Sequence, residues 1–373
     1  MVKQCETMDK KPIKILAIET SCDETAASLI VEENDSPKII SNIISSQIDL
    51  HRITGGVVPE VASRAHMEAI VPVVLSSLAE NKEVNYDLAR EILRNNVTHV
   101  AVTAGPGLIG SLLVGFNAAK TIAYAFDKPI VPINHIEGHI YSAFSDKQGF
   151  DFPILALTVS GGHTSLILMK SHGEYETIGQ TLDDAVGEAY DKVASLLGLG
   201  YPGGPIISKM AQKYRDSGQN VDFSFPRPII KDKTFNFSLS GLKTAVLQKV
   251  KDILATGNLE NTDQIDQKTK EKIAAAFEEA VGDVLAYKTA KAVEKLNPKR
   301  VIFVGGVSAN KYLGQRVEEE IKNIDGQLQL LTPGRGLSGD NAAMIGLAAF
   351  YHIKRGKVSS WRDVKVDSNM KLL

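Results

Sequence analysis

The sequence predicts a duplicated, two-lobed α/β protein, and three observations carry that prediction. The chain has 373 residues, more than one ordinary core accommodates. The segment ILAIETSCDETAASLI at 15–30 is echoed by ILALTVSGGHTSLI at 154–167. Each reads as a buried apolar strand, a small polar turn and a returning apolar strand. A second echo follows in the same order, VAVTAGPG at 100–107 and VIFVGGV at 301–307, each an apolar strand that breaks at glycines and opens a helix. One short match is within reach of coincidence; two in the same order argue for a repeat.

The remaining elements follow from that frame. In the first half a third strand is expected at 38–46, a helix at 60–79 and, after the glycines, a helix at 108–125. In the second half the counterparts are a strand at 175–181, a helix at 184–197 and a helix at 308–324, with Ser308 as its N-cap. Hairpin strands followed by strand–helix units imply two twisted sheets flanked by helices. The second half is longer between 199 and 272, where an insertion carries PGGP, FPRP and FNFSLSGLK. Its polar stretch at 256–270 reads as a surface loop before an amphipathic helix at 271–296. The expected division is 13–135 with 345–373 in one lobe and 136–344 in the other.

Composition narrows the class. With 43% hydrophobic and 23% charged residues the chain is globular, and no apolar run approaches the roughly 20 residues that span a bilayer. The opening MVKQCETMDKKP lacks the apolar core of a signal peptide and reads as a polar extension. The only two cysteines, Cys5 and Cys22, exclude a disulfide framework and suit a reducing cytoplasm. A formal net charge of −2 gives no global attraction to nucleic acid, so an RNA partner requires a local basic patch or a companion subunit.

Three glycine turns are candidates for holding phosphate where strand ends face a shared cleft. In SGGHT at 160–164, two consecutive glycines let backbone N–H groups approach an anion. Gly305 and Gly306, and Gly105 and Gly107, each precede a helix N-terminus with its free donors and partial positive charge. Taken singly, each pair is equally a tight turn. GxxxxGK[ST] does not occur, which disfavours P-loop chemistry.

His135 and His139 follow a strand at 129–133 and open a helix, where residues four apart share a face about 40° off register. Both imidazoles can then address one ion, although such a pair alone is more often an ordinary polar or core pair. Asp340, in SGDNA at 338–342, is a carboxylate able to complete the site and equally a plain N-cap. The spacing also invites a zinc-protease reading. In HExxH the base follows the first histidine by one position, whereas Glu137 stands two on, roughly 200° round the helix. A peptidase lacks its base here.

With these residues in hand, the chain resembles the tRNA N6-adenosine threonylcarbamoyltransferase family, in its bacterial TsaD type. The motifs are ETSCDET, GGVVPEVASRAH, TAGPGLIGSLLVG, NHIEGH, VSGGHTSL, DDAVGEAYDKVASLLGLGYPGGP, FSLSGLKTA, GGVSAN and GDNAAMI, in the family's order from about residue 14 to about 351. The resemblance implies the fold shared by actin, Hsp70 and sugar kinases. It implies transfer of a threonylcarbamoyl group from threonylcarbamoyl-AMP to N6 of the adenosine beside the tRNA anticodon (position 37, in tRNAs reading codons that begin with adenine), releasing AMP. It implies one divalent metal ion, iron or zinc, on His135, His139 and Asp340. The adenylate-binding positions fall on Val159, Ser160, Gly161, Gly162, His163, Asp191, Gly204 and Asn310. A TsaB-like paralogue and a TsaE-like ATPase are the implied helpers, with the helices at 60–79 and 108–125 as candidate contact surfaces. One departure stands out: members usually carry Cys-Thr-Asp-Asn before the last helix, whereas Ser338 and Gly339 precede Asp340 here.

That chemistry makes sense of the residue types. The donor is already activated, so no side-chain nucleophile is needed; the site has to polarise a carbonyl, orient a weakly nucleophilic amine and receive a phosphate. Asp23 and Glu24, in the first hairpin turn, are candidates to orient the adenine or accept its proton, or else simply bond loop amides. Lys243 and the stretch with Lys231 and Lys233 are candidates for tRNA phosphates, or ordinary solvated lysines. An ATP-dependent phosphotransferase or ATPase of the same fold is the rival enzymatic reading, and a nucleotide-bound scaffold the non-enzymatic one.

Overall fold

A computed structural model describes residues 11–78, 84–145 and 149–372; Cys5, Ala79 and Leu373 lie outside the described residues. The first half runs β1 (Lys14–Glu19), β2 (Glu24–Glu33), β3 (Ser36–Ser46), α1 (Ile48–Thr54), α2 (Pro59–Leu78), α3 (Tyr86–Asn95), β4 (His99–Gly105), α4 (Ile109–Ala125) and β5 (Ile130–Asn134). After α5 (His135–Ser142) come β6 (Ile154–Val159), β7 (Thr164–Ser171), β8 (Glu174–Gln180), α6 (Val186–Leu196), α7 (Gly203–Asp216), α8 (Ser240–Gly257) and α9 (Gln267–Leu296). The chain then forms β9 (Arg300–Val304), α10 (Lys311–Ile324), β10 (Leu330–Leu331) and α11 (Ala342–Lys354).

The strands make two sheets of like topology, β3-β2-β1-β4-β5 and β10-β9-β6-β7-β8. β1 pairs antiparallel with β2 and parallel with β4, just as β6 does with β7 and β9. The duplication expected from the two echoes is therefore a duplication of strand pairing. Alternation along the strands sorts side chains to two faces. Ile15 and Ala17 of β1, with Ile154 and Ala156 of β6, enter one core that also contains α5 and α11. Leu16 and Ile18 face outward to α2 and α4, while Leu155 and Leu157 face outward to α6 and α9.

α5 and α11 thus lie in the core common to both sheets, so α5, which carries His135 and His139, and α11, which begins two residues after Asp340, are held from two sides. The seams expected at 135/136 and 344/345 run through these two helices. The insertion is more than a loop. It contains α7 and α8, and Phe237, Leu242 and Val246 are fully buried in the second-half core. α9 begins at Gln267, four residues before the expected start, because Asp266 caps it by accepting from the Thr269 N–H. Ser308 does not cap the next helix. A single 3₁₀ turn, Gly306–Ala309, intervenes, and Asn310 caps α10 by accepting from the Leu313 N–H at 3.1 Å. Among the described residues no helix is long and apolar enough to cross a membrane.

Candidate metal and nucleotide site

His135 is the first residue of α5 and Asp340 stands two residues before α11. Both helices are capped by asparagine. The Asn134 side chain accepts from the N–H groups of Ile136 and Glu137, and that of Asn341 accepts from Met344. Asp340 is therefore not the cap, and its carboxylate is free to face the histidines. His135 Nε2 lies 3.5 Å and His139 Nε2 3.2 Å from Asp340 Oδ1, and one donor atom from each of the three falls within 4.8 Å of the others.

Two observations test whether these residues fit a metal. Both ring nitrogens of His139 are buried without a hydrogen-bond partner among the described residues. A buried orphan of this kind is costly unless something unseen ligates it. Two donors each about 2.1 Å from a tetrahedral ion stand about 3.4 Å apart, which is the spacing of the histidine nitrogens from Asp340. The donor set, two imidazoles and a carboxylate, suits zinc or iron. The residues fit.

Glu19, which the sequence reading did not single out, completes the centre. It ends β1 fully buried, and its Oε2 lies 3.1 Å from His135 Nδ1. Ser21 Oγ lies 3.1 Å from the same nitrogen. Thr103 donates to Oε2 and the Ser21 N–H to Oε1. A carboxylate on Nδ1 fixes the tautomer that leaves Nε2 for an ion. Burial opposes charging of His135, yet Asp340 and Glu19 push it up to about 9. Burial likewise works against ionised Asp340, but His135 and His139 hold it well below the usual carboxylate range. The sequence signals for Glu19 are its place as a charged residue closing the apolar run ILAI at 15–18 and as the first residue of ETSCDET.

Glu137 points elsewhere. Its Oε1 accepts from the Tyr175 hydroxyl at 2.7 Å and lies 2.9 Å from His352 Nε2, on the side of α5 away from the triad, so it is no protease base.

The second glycine turn sits beside this centre. Ser160 and His163 close it, the Ser160 N–H donating to the His163 carbonyl at 2.8 Å and the His163 N–H to Ser160 Oγ at 3.2 Å. Val159 is buried at the end of β6. From behind, α6 donates Gly187 N–H to the Ser160 carbonyl and Glu188 N–H to that of Gly161. Burial, with His135 and His139 nearby, lowers His163 to about 4, so its ring is neutral beside the triad. Gly161 and Gly162 are exposed, have no left-handed φ, and an added Cβ on either meets nothing within 4 Å. Neither conformation nor packing requires glycine there. Gly187 is the opposite case, since its Cβ would stand 2.7 Å from Gly161 Cα.

The other turns divide. Gly305 has φ +93° and abuts the Val159 carbonyl, while Gly306 faces open space. Gly105 and Gly107 are closed by the chain itself, the first by Asp367 and the second by Ser21, whose carbonyl is 2.6 Å from an added Cβ. The expectation that this first-half turn lines an open cleft is corrected.

Asp191 accepts from the Gly203 N–H at 2.7 Å, and burial raises its carboxyl; Gly204 beside it is open. Asn310 is engaged at both ends, capping α10 and donating from Nδ2 to Glu278 Oε1 at 2.7 Å. In the first hairpin turn Glu24 accepts from the Ser46 hydroxyl at 3.1 Å, and burial, then Asp23 and Asp340, pushes Glu24 up to about 9. The Asp23 charge is felt by Asp191 and Tyr201 of the second half. His66 of α2 anchors this turn, bonding Thr25 Oγ1 at 2.8 Å and the Cys22 carbonyl at 3.0 Å. Lys243 pairs with Asp184 at 3.5 Å, while Lys231 and Lys233 are exposed.

Two like sheets about a shared core, with a metal-capable triad where the two helices between them begin, define an α/β protein of the actin, Hsp70 and sugar-kinase class. Two solved HypF structures share this fold, that from T. kodakarensis with TM-score 0.59 at 12% identity over 94% of this chain and 50% of that one, and a full-length form with TM-score 0.56 at 13% identity over 95% and 48%. Residues 38–347 match the family model described as TsaD: tRNA N6-adenosine threonylcarbamoyltransferase. Proteins of that name from Staphylococcus haemolyticus (43% identical, 97% of each chain) and Halalkalibacterium halodurans (48% identical, 91% of each chain) are close relatives. The chain belongs to the tRNA N6-adenosine threonylcarbamoyltransferase family, a family of transferases that modify tRNA.

Proposed function

We propose that this chain transfers the threonylcarbamoyl group of threonylcarbamoyl-AMP to N6 of adenosine 37 in tRNAs reading codons that begin with adenine, releasing AMP. The observation that carries the reading is the juxtaposition of the partly orphaned His135–His139–Asp340 triad, its histidines buried, with a glycine turn whose open side none of the described residues occupies.

A divalent iron or zinc ion on His135, His139 and Asp340 supplies Lewis acidity and a charged template for donor oxygens. The Gly161 and Gly162 amides receive the adenylate phosphate, whose charge they match without a Cβ in the way. Val159, Ser160 and His163 shape that turn, and neutral His163 adds a hydrogen-bonding ring without repelling the ion. Asp191, Gly204 and Asn310 form the nucleoside end. The Asn310 side chain is already engaged, so its part is to hold Glu278 and the α10 start in place unless a ribose oxygen displaces one bond. In the transfer the N6 lone pair attacks the carbamoyl carbon, the bond from that carbon to the phosphate oxygen breaks, and N6 loses a proton. Asp23 and Glu24 orient the adenine and accept that proton.

A TsaB-like paralogue and a TsaE-like ATPase complete the reading. Met67 is 61% exposed and Val71 48% on α2, and with Ile109 and Leu113 on the α4 that packs against it, and Ile53 of α1 at 86%, they leave the first-half helices with exposed apolar side chains suited to a protein partner. A net charge of −2 agrees with tRNA binding shared among subunits, and a cytoplasmic site of action follows from the substrate. Nucleoside analysis of tRNA incubated with the chain, its helpers and the donor tests the proposal. Threonylcarbamoyladenosine at position 37 is expected; robust ATP turnover without tRNA, and no modified nucleoside, would instead indicate a phosphotransferase or ATPase.

A further inference from the structure

The two duplicated glycine turns are not equivalent, and the difference leads to the metal helix. In the second half, Gly306 faces open space. In the first, residues 367–370 lie directly across the end of β4. The Asp367 N–H donates to the Ala104 carbonyl at 2.8 Å and the Gly107 N–H to the Ser368 carbonyl at 3.2 Å. Gly105 has φ +148°, and a side chain there would collide with the Asp367 carbonyl and with Met370.

The docked segment is folded on itself, Asn369 N–H donating to Asp367 Oδ1 at 2.9 Å and Met370 N–H to the Asp367 carbonyl at 3.1 Å. Trp361, Val366 and Met370 pack on the first-half core, Val364 is buried in it, and Leu372 reaches the core that holds α5 and α11.

From this position the segment touches the residue that sets the metal helix. Asn134 uses Oδ1 to cap α5, and its Nδ2 donates to the Met370 carbonyl at 3.3 Å. A cap side chain tethered at its far end cannot rotate without breaking the cap. The next residue is His135.

We infer that the segment 361–372 is a positioning element of the metal centre, acting through Met370 and Asn134 to fix the start of α5 and so the aim of His135 and His139. The inference rests on the metal reading above. Supporting groups around metal ligands typically contribute about 10–100-fold to affinity; because this one acts through a helix cap, about tenfold is expected.

The test is cobalt(II) titration of the full chain, followed by its visible absorption band, alongside thermal melting. Asn134→Ser keeps a capping oxygen and loses the donor to Met370; a chain ending at Val366 removes the acceptor. Each should bind cobalt about tenfold more weakly with an altered band, and the double variant should be no worse than the weaker single one. A truncated chain that fails to fold leaves Asn134→Ser to decide. Unchanged affinity and spectrum in a variant whose melting temperature alone has fallen would overturn the inference while sparing the metal reading. No cobalt binding by the unaltered chain overturns both.

Discussion

Asp340 is the residue on which the sequence was most ambiguous, since a carboxylate just before a helix is as good a cap as a ligand. Asn341 takes the capping role, which leaves Asp340 to the histidines. Glu19 supports His135 from behind. Glu19→Gln is expected to weaken metal binding at least tenfold, read by chelator competition with the fold checked by circular dichroism; undiminished affinity would remove Glu19 from the centre. Glu24 offers a pH test. Its folded carboxyl titrates near pH 9 against about 4.3 when unfolded, so between those values the folded state binds the extra proton and stability falls as pH rises. Glu24→Gln removes that slope, and its melting temperature relative to the parent should climb from pH 5 to 9. Parallel curves would show that Glu24 is ionised in the fold.

At the scale of elements, the glycines of the 160–163 turn and of α6 behave oppositely under the same substitution. Gly187→Ala drives a methyl into Gly161 and Ser160, a backbone clash expected to destabilise by about 1–3 kcal/mol and to distort the turn. Gly162→Ala meets open space, so thermal stability should hold within about 0.5 kcal/mol while adenylate affinity drops, as calorimetry would detect. Equal adenylate affinity in Gly162→Ala and the parent would remove this turn from the nucleotide site. The strands and most helices were legible because alternation and helical periodicity are strong in buried elements. The start of α10 was misread at Ser308 because a single 3₁₀ turn moved the cap to Asn310, a local shift that periodicity does not encode. The closure of the Gly105 turn was not legible either. It depends on residues 367–370, more than 250 positions away in sequence and without a motif.

Across the whole molecule, the duplicated pairing order was readable from two short echoes, whereas the placement of α5 and α11 in the core common to both sheets was not. That placement brings His135 and Asp340 together across 205 positions of sequence. Arg52 of α1 reaches the Tyr201 carbonyl at 3.4 Å, a further link between the halves. The exposed apolar side chains of α1, α2 and α4 are expected to bind a companion subunit. Ile53→Lys with Met67→Glu should abolish co-sedimentation with it and leave the melting temperature within about 2 °C; intact association would move the interface elsewhere. The most direct measurement is nucleoside analysis of tRNA treated with donor, helpers and either the parent chain or its His139→Ala variant, with metal content determined on both. Modified adenosine with the parent, and none above background with a folded, metal-free variant, is the expected result. Normal modification by metal-free His139→Ala protein would contradict metal-assisted transfer at this site.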